Sequence, residues 1–261
     1  MHVLVTGGTG ALGTVVVWQL LARGDVVRVM SRRPAPAGTP VSWATADIAT
    51  GAGVAEAVSG VDAVIHAASD PEGAANLEVS GTRRLAEEAR GAGVSHFIYV
   101  SIVGIDRIPY AYYRRKLAAE QAVAGSHVPY SVLRATQFHS FIDFLLRRAA
   151  RYPAILPLPA GFHVQSVAID DVAARLCDIV ADRPGALLPD FAGPEPMTVV
   201  NAARAWKSAR GVRKPIVPIW IPGRVARAFR QGYNTNPAAP NGTVTWRSWL
   251  ETQTSSSTEA P

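Results

Sequence analysis

The stretch that most restricts the fold is residues 7–13. Residues 2–6, His-Val-Leu-Val-Thr, read as a short buried strand, and Gly7, Gly8, Thr9, Gly10, Ala11, Leu12 and Gly13 follow at once. From Ala11 an apolar pattern at helical spacing runs through Leu12, Val15, Val16 and Leu20 to about residue 23. Strand, glycine turn and helix form the frame in which a glycine motif becomes a dinucleotide site. Gly7 permits the sharp turn. Gly10 leaves room for a pyrophosphate against the backbone, and Gly13 lets helix and strand pack closely. Free N–H groups and the dipole at the helix start then hold phosphates. A tight strand–helix turn without a ligand is the plain alternative.

The rest of the chain repeats the alternation. Strands are expected at residues 26–30, 41–45, 63–67, 96–100 and 130–134. Between them lie helical patterns: a short one with Val54, Ala57 and Val58 inward, one over residues 72–92 with Leu77, Leu85 and Ala89 inward, and one over 109–123. Such alternation implies an α/β fold with a doubly wound parallel sheet, its ligand crevice at the carboxyl ends of the strands. Residues 1–135 are expected to form this dinucleotide-binding core. Residues 136–250 form a substrate-side lobe intertwined with it. That lobe should hold helices over 138–151, 170–181 (capped by Asp170) and 199–209, with strands over 164–167 and 187–191. Residues 251–261 lack apolar periodicity and read as a loose tail.

Cofactor choice is readable at the end of the second strand. A carboxylate about twenty residues past the glycines would hold the ribose 2′-hydroxyl of NAD. Here the chain reads Ser31-Arg32-Arg33, with no acid. A guanidinium binds a 2′-phosphate bidentately where a carboxylate would repel it. NADP(H) is therefore expected over NAD(H), with Arg32 as the first candidate and Ser31 and Arg33 in support; two solvated arginines are the alternative. Asp47 is placed to accept from the adenine amino group. Ala67 and Ala68 are small enough to let the cofactor lie on the backbone. His66, in an apolar run, reads as a satisfied core histidine.

A second site is Tyr112-Tyr113-Arg114-Arg115-Lys116. Tyr112 and Lys116 are i and i+4, so they share a helical face. An ammonium beside a phenol lowers its pKa from about 10. Tyr112 is thus expected to exchange a proton with a carbonyl or alcohol oxygen while a nicotinamide moves a hydride. Lys116 is also a candidate for the nicotinamide ribose, and Tyr113 remains a rival to Tyr112.

These motifs carry a resemblance. The glycine run, Tyr99-Val100-Ser101 and the Tyr112/Lys116 pair resemble the short-chain dehydrogenase/reductase superfamily. Residues 133–138 (Leu-Arg-Ala-Thr-Gln-Phe) and 167–173 resemble its extended and atypical branch, which includes NmrA-like proteins and NAD(P)H-binding quinone or isoflavone-type reductases. The resemblance spans about residues 1–230. It implies a Rossmann sheet and an NAD(P)-dependent oxidoreductase. It places Thr136, Gln137 and Phe138 near the nicotinamide, and Ser101 at the substrate carbonyl. A strand-end serine bonding backbone is the alternative for Ser101. Two departures stand out: Ile102-Val103-Gly104 follows Ser101, and Arg134-Ala135 replaces the usual Arg-Pro. The resemblance also admits a non-catalytic NADP(H)-binding sensor and, with only a small lobe available, a nucleotide-sugar epimerase or dehydratase.

Phe138, Phe141, Ile155, Leu156 and Phe162 suggest a hydrophobic small-molecule substrate, with core packing as the alternative; His139 and His163 are further pocket candidates. Charge is uneven: residues 1–196 carry 17 Lys/Arg and 18 Asp/Glu, whereas residues 197–250 carry nine Lys/Arg and no acid. Arg224, Arg227 and Arg230 follow the apolar residues 216–222, with Val225, Ala228 and Phe229 on another helical face. Weak contact with an anionic membrane surface is one reading of this pattern, and a helix packing its apolar face on the lobe is the other. No zinc spacing or helix-turn-helix suggests a metal or specific nucleic acid. Cys177 is the only cysteine, and the first core strand follows Met1 directly, so a cytoplasmic location without a signal peptide is expected.

Overall fold

The computed structural model describes residues 1–39, 41–70 and 77–255. Along the chain run β1 (His2–Thr6), α1 (Ala11–Ala22), β2 (Val26–Ser31), β3 (Ser42–Thr45), α2 (Val54–Val58) and β4 (Ala63–His66). A π turn at Leu77–Gly81 leads into α3 (Thr82–Gly91). Then come β5 (His96–Ile102), α4 (Ala111–Gly125), β6 (Tyr130–Ala135), α5 (His139–Ala149), β7 (Leu156–Pro159) and β8 (His163–Val164). The chain continues with α6 (Ile169–Ala181), β9 (Ala186–Leu187), β10 (Met197–Thr198), α7 (Val199–Arg210), β11 (Ile216–Ile219), α8 (Arg224–Arg230) and α9 (Trp246–Ser255).

Seven strands form one sheet in the order β3-β2-β1-β4-β5-β6-β9. The order reverses between β1 and β4, so the chain leaves a crevice outside the carboxyl ends of those two strands. Parallel pairing puts Thr6 opposite Met30 on one side and His66 on the other. Leu4, Met30, Val64, Phe97 and Val132 join α2, α3 and α4 in one buried cluster. By the strand period, Val3 and Val5 face the other way, toward the side of α1. Val54, Ala57, Val58, Leu85 and Ala89 are all buried, as their spacing requires. Each fully buried aliphatic side chain is worth about 1.5–3 kcal/mol.

The chain divides into two compact units, and the division is not a single cut near residue 135. One unit is Met1–Ser101, Ala111–Arg134 and Val172–Pro189; the other is Ile102–Tyr110, Ala135–Asp171 and Asp190–Pro261. The segment after α6 thus returns to the sheet as β9, beside β6. The second unit has its own core of Ile142, Leu146, Leu156, Leu158, Trp206, Trp246 and Leu250. A two-strand parallel pair (β7, β11) and a short antiparallel pair (β8, β10) brace it.

Several local expectations need correction. Asp170 lies in the first turn of α6 rather than at its cap. Helix α9 runs through Ser255, well into the stretch expected to be a loose tail, because Trp246 and Leu250 anchor it in the core. Residues 72–76 of the helix expected over 72–92, together with the Leu77 side chain, lie outside the described residues, as do 256–261. Among the described residues, no helix is long and apolar enough to cross a membrane.

Candidate active site

The site begins where β1 ends. Gly7 turns the chain at φ +69°, and a Cβ there would stand 2.7 Å from the Ala68 nitrogen. The Gly10 N–H closes the turn by donating to the Gly7 carbonyl at 2.9 Å. A Cβ on Gly13 would fall 2.1 Å from the Gly7 oxygen, so only glycine lets α1 start this close to the strand. At Gly10 a Cβ would meet only the Gly7 oxygen, at 3.2 Å, which leaves its outer side open. No side chain caps α1. Its first-turn N–H groups, at Ala11, Leu12 and Gly13, are thus presented to an anion. The Leu12 side chain itself is buried and serves packing.

A cavity of about 500 Å³ extends from this turn, large enough for a cofactor to bury much of its surface. Gly7, Thr9, Gly10, Ala67 and Ala68 line it. Ser31, Arg32, Arg33 and Asp47 line one end. The Ser31 hydroxyl accepts from the Arg33 N–H at 3.1 Å, and the Arg33 carbonyl accepts from the Trp43 indole at 2.8 Å. These bonds fix the loop while both guanidinium groups stay exposed, with no partner among the described residues. Asp47 Oδ1 accepts from the Ala49 N–H at 2.9 Å, which holds its carboxylate at the rim. Open backbone at Gly10, uncapped N–H groups and free cations at one end together fit a phosphate-bearing dinucleotide.

His66 is a locked core residue. Its Nδ1 bonds the Thr6 hydroxyl at 2.6 Å and its Nε2 the Thr82 hydroxyl at 3.0 Å. Burial pushes its pKa down to about 3, so the ring is neutral.

On α4 the inward face is Tyr113, Lys116, Ala119, Glu120 and Val123. Tyr113 is buried, whereas Tyr112 lies at the edge of that face and is half-exposed. The Tyr112 hydroxyl sits 2.6 Å from the Ser69 hydroxyl. Lys116 turns inward, away from the expected phenol. Its ammonium reaches Glu78 Oε1 at 3.1 Å, donates to the Val100 carbonyl at 2.8 Å and lies 4.1 Å from the centre of the Tyr99 ring. The expected drop in the Tyr112 pKa therefore does not occur. Burial, with the negative charges of Glu78 and Asp70, raises it to about 12 against the Ser69 hydrogen bond and the Arg115 charge.

Sequence reasoning missed Glu78. It is 3% exposed and accepts from Tyr99 at 3.1 Å, from Ser69 at 3.0 Å and from the Asp70 N–H at 3.3 Å. A lysine on the buried face of α4 was the available signal, because a buried ammonium demands a carboxylate.

Ser101 is 2% exposed, and its hydroxyl has no partner among the described residues, so it is not a strand-end serine tied to backbone. Thr136, Gln137 and Phe138 lie in the second unit. The Thr136 hydroxyl accepts from Gly193, the Gln137 side chain accepts from Asn234, and Phe138 caps α5. His139 is buried between Ser166 and the Val244 carbonyl, against Trp246 and Trp249. Leu156 is core, and Phe162 stacks on Phe229. The His163 carbonyl accepts from Asn234.

Comparison with known proteins bears on the family and the fold. Residues 7–183 match the model of the family described as NAD(P)H-binding. A 3-beta-hydroxysteroid dehydrogenase of Mycolicibacterium neoaurum is 32% identical over 158 residues, covering 48% of this chain and 43% of that protein. The chain thus matches less than half the length of this curated relative. The NADPH-dependent quinone oxidoreductase of Escherichia coli, solved with NADPH, superposes with a TM-score of 0.83 at 18% identity, covering 96% of this chain and 99% of the other. A nucleoside-diphosphate-sugar epimerase of Staphylococcus aureus superposes with a TM-score of 0.74 at 18% identity, covering 96% and 100%. Fold, glycine turn and family match converge: the chain belongs to the NAD(P)H-binding family, with a Rossmann-type fold shared by reductase and epimerase structures.

Proposed function

We propose that the protein is an NADP(H)-dependent oxidoreductase acting on a small hydrophobic carbonyl, alcohol or quinone-type substrate. The observation that carries this reading is the single cavity wall running from the open glycine turn to Arg32 and Arg33. The uncapped start of α1 would hold the pyrophosphate, and Arg32 the 2′-phosphate, with Ser31 and Arg33 in support. When bound, a nicotinamide supplies the hydride chemistry. Tyr112 is the proton-transfer group, half-exposed at the edge of the inward face of α4. Lys116 acts on the site through Glu78, the partner of its ammonium.

The quinone and steroid chemistry named for the relatives supports a hydrophobic substrate here. The test is NADPH oxidation against a panel of quinones, aldehydes and ketones, run with NADPH affinity. Tyr112→Phe should abolish turnover, by at least a hundredfold as expected for loss of a general acid–base, while NADPH still binds. Full activity in Tyr112→Phe would remove the proton-transfer assignment. Tight NADPH binding with no turnover of any compound would favour a cofactor sensor.

A further inference from the structure

Glu78, Ser69 and Tyr112 form a chain whose hydrogen-bond direction is determined. Glu78 is ionised: burial opposes its charge, but the Lys116 ammonium and further hydrogen bonds hold its pKa below the usual carboxylate value. An ionised carboxylate only accepts. Ser69 therefore spends its one hydroxyl proton on Glu78 Oε2, at 3.0 Å. The Tyr112 hydroxyl, 2.6 Å from Ser69, must then donate to Ser69. Its remaining lone pairs are left to accept. The protons of this chain all point away from the reacting position and toward the carboxylate.

We propose that Glu78 is the terminal proton acceptor of a relay running from the Tyr112 phenol through the Ser69 hydroxyl, so that the site is polarised to take a proton from an alcohol substrate. The proposal rests on the oxidoreductase reading and adds a direction to it. In the step, the alcohol O–H breaks and its proton bonds to the Tyr112 oxygen. The phenol's own proton passes to Ser69, and that of Ser69 to Glu78. The two electrons leave the alcohol carbon as hydride to an oxidised nicotinamide, so the alcohol is oxidised and the nicotinamide reduced. Tyr112 and Ser69 end as they began, and Glu78 ends as a carboxylic acid beside the Lys116 ammonium. Ser69 is exposed, so the proton returns to water by the same route.

The surroundings suit this role. The groups facing Glu78 are Lys116 from α4, Tyr99 from β5 and the neutral His66 from β4. Those acting on Tyr112 are Glu78, Asp70 and Arg115. Glu120, which also faces Lys116, is occupied by Arg134 at 2.7 Å. Without the relay, the proton must go to the Tyr112 phenolate, scarce at neutral pH.

The test is the pH dependence of NADP⁺ reduction with cyclohexanol and 1-phenylethanol as probes. The wild-type rate should be flat from about pH 6 to 9, because the base titrates below that range. Glu78→Gln should instead rise about tenfold per pH unit, since phenolate must now form. Ser69→Ala leaves the Glu78–Lys116 pair intact and should show the same slope, which guards against a folding defect in the first variant. A second readout needs no turnover: ultraviolet titration of Tyr112, taken as the difference from Tyr112→Phe, should move downward in Glu78→Gln, where a nearby negative charge is lost. Flat profiles in both variants, or an unmoved Tyr112 titration, would overturn the relay and leave the oxidoreductase reading standing. Moved titrations with no alcohol or carbonyl turned over by the wild type would instead sink the oxidoreductase reading, and the relay's catalytic role with it.

Discussion

In the proposed function, Arg32 is the residue on which cofactor choice turns. It is exposed, has no protein partner among the described residues and lines the cavity end beside Ser31. Arg32→Ala should weaken NADPH by about 1.5–3 kcal/mol, the worth of a hydrogen bond to a charged group, and leave NADH nearly unchanged. Isothermal titration with both cofactors checks this, and equal losses would remove the 2′-phosphate assignment. His66 makes a different kind of prediction. Its folded pKa is about 3, against 6.5 for a free histidine. The unfolded chain therefore binds a proton below pH 6.5 that the folded chain refuses. Its contribution to stability is whole above pH 6.5 and is lost toward pH 3, by about 1.4 kcal/mol per unit. Urea melts at pH 7 and 5 should differ less in His66→Asn than in the wild type. Some slope will remain, because burial also lowers the pKa of His96 and His139. The two residues were unequally legible. Arg32 follows a strand at a known distance from a glycine turn, so local order placed it. Glu78 lies far from Lys116 in sequence, and only the packing of the π turn at Leu77–Gly81 against α4 brings them together.

At the scale of elements, the glycine turn was legible because one short stretch contains its whole geometry. Helix α4 was not, because i,i+4 spacing says that two side chains are neighbours and not which way they face. Its inward stripe passes through Tyr113, Lys116 and Glu120, and Tyr112 is left on the shoulder. Helix α8 resolves a similar ambiguity. Ala226 and Ala228 are buried, and Phe229 stacks on Phe162 with ring centres 5.3 Å apart. Its apolar face is thus already occupied. Arg230 folds over the Trp220 ring at 3.9 Å and donates to the Ile221 carbonyl, which leaves Arg224 and Arg227 as its exposed cations. A helix must offer its apolar face to enter a lipid interface. The protein should therefore stay in the supernatant when spun with anionic vesicles at low salt. Salt-sensitive pelleting that drops in Arg224→Gln/Arg227→Gln would restore the membrane reading, with the exposed Trp220 as its apolar contact.

For the whole molecule, the order of segments along the chain decides what can fold alone. A cut at residue 135 is natural from the strand–helix alternation, because six strands and their helices are complete by then. The sheet is not. Residues Val172–Pro189 belong to the same unit, and they add β9 to the free edge of β6 through Ser131 opposite Ala186 and Val132 opposite Leu187. They also supply α6, whose Cys177 thiol lies 3.9 Å from the Val16 carbonyl of α1. Val172, Leu176, Ile179 and Val180 of α6 are at most 3% exposed. At about 1.5–3 kcal/mol for each such side chain, losing them removes an amount comparable to the whole stability of a domain, about 5–15 kcal/mol. The facing side of α1 would be bared at the same time, and the edge of β6 left unpaired. No local pattern announces this, since a segment's return to an earlier sheet is a fact of tertiary packing. A fragment of residues 1–135 should therefore elute as aggregate on size exclusion and show no cooperative thermal transition, although it carries the glycine turn and both arginines. If that fragment were monomeric, melted cooperatively and bound NADPH as the full chain does, α6 and β9 would be dispensable to the dinucleotide-binding unit.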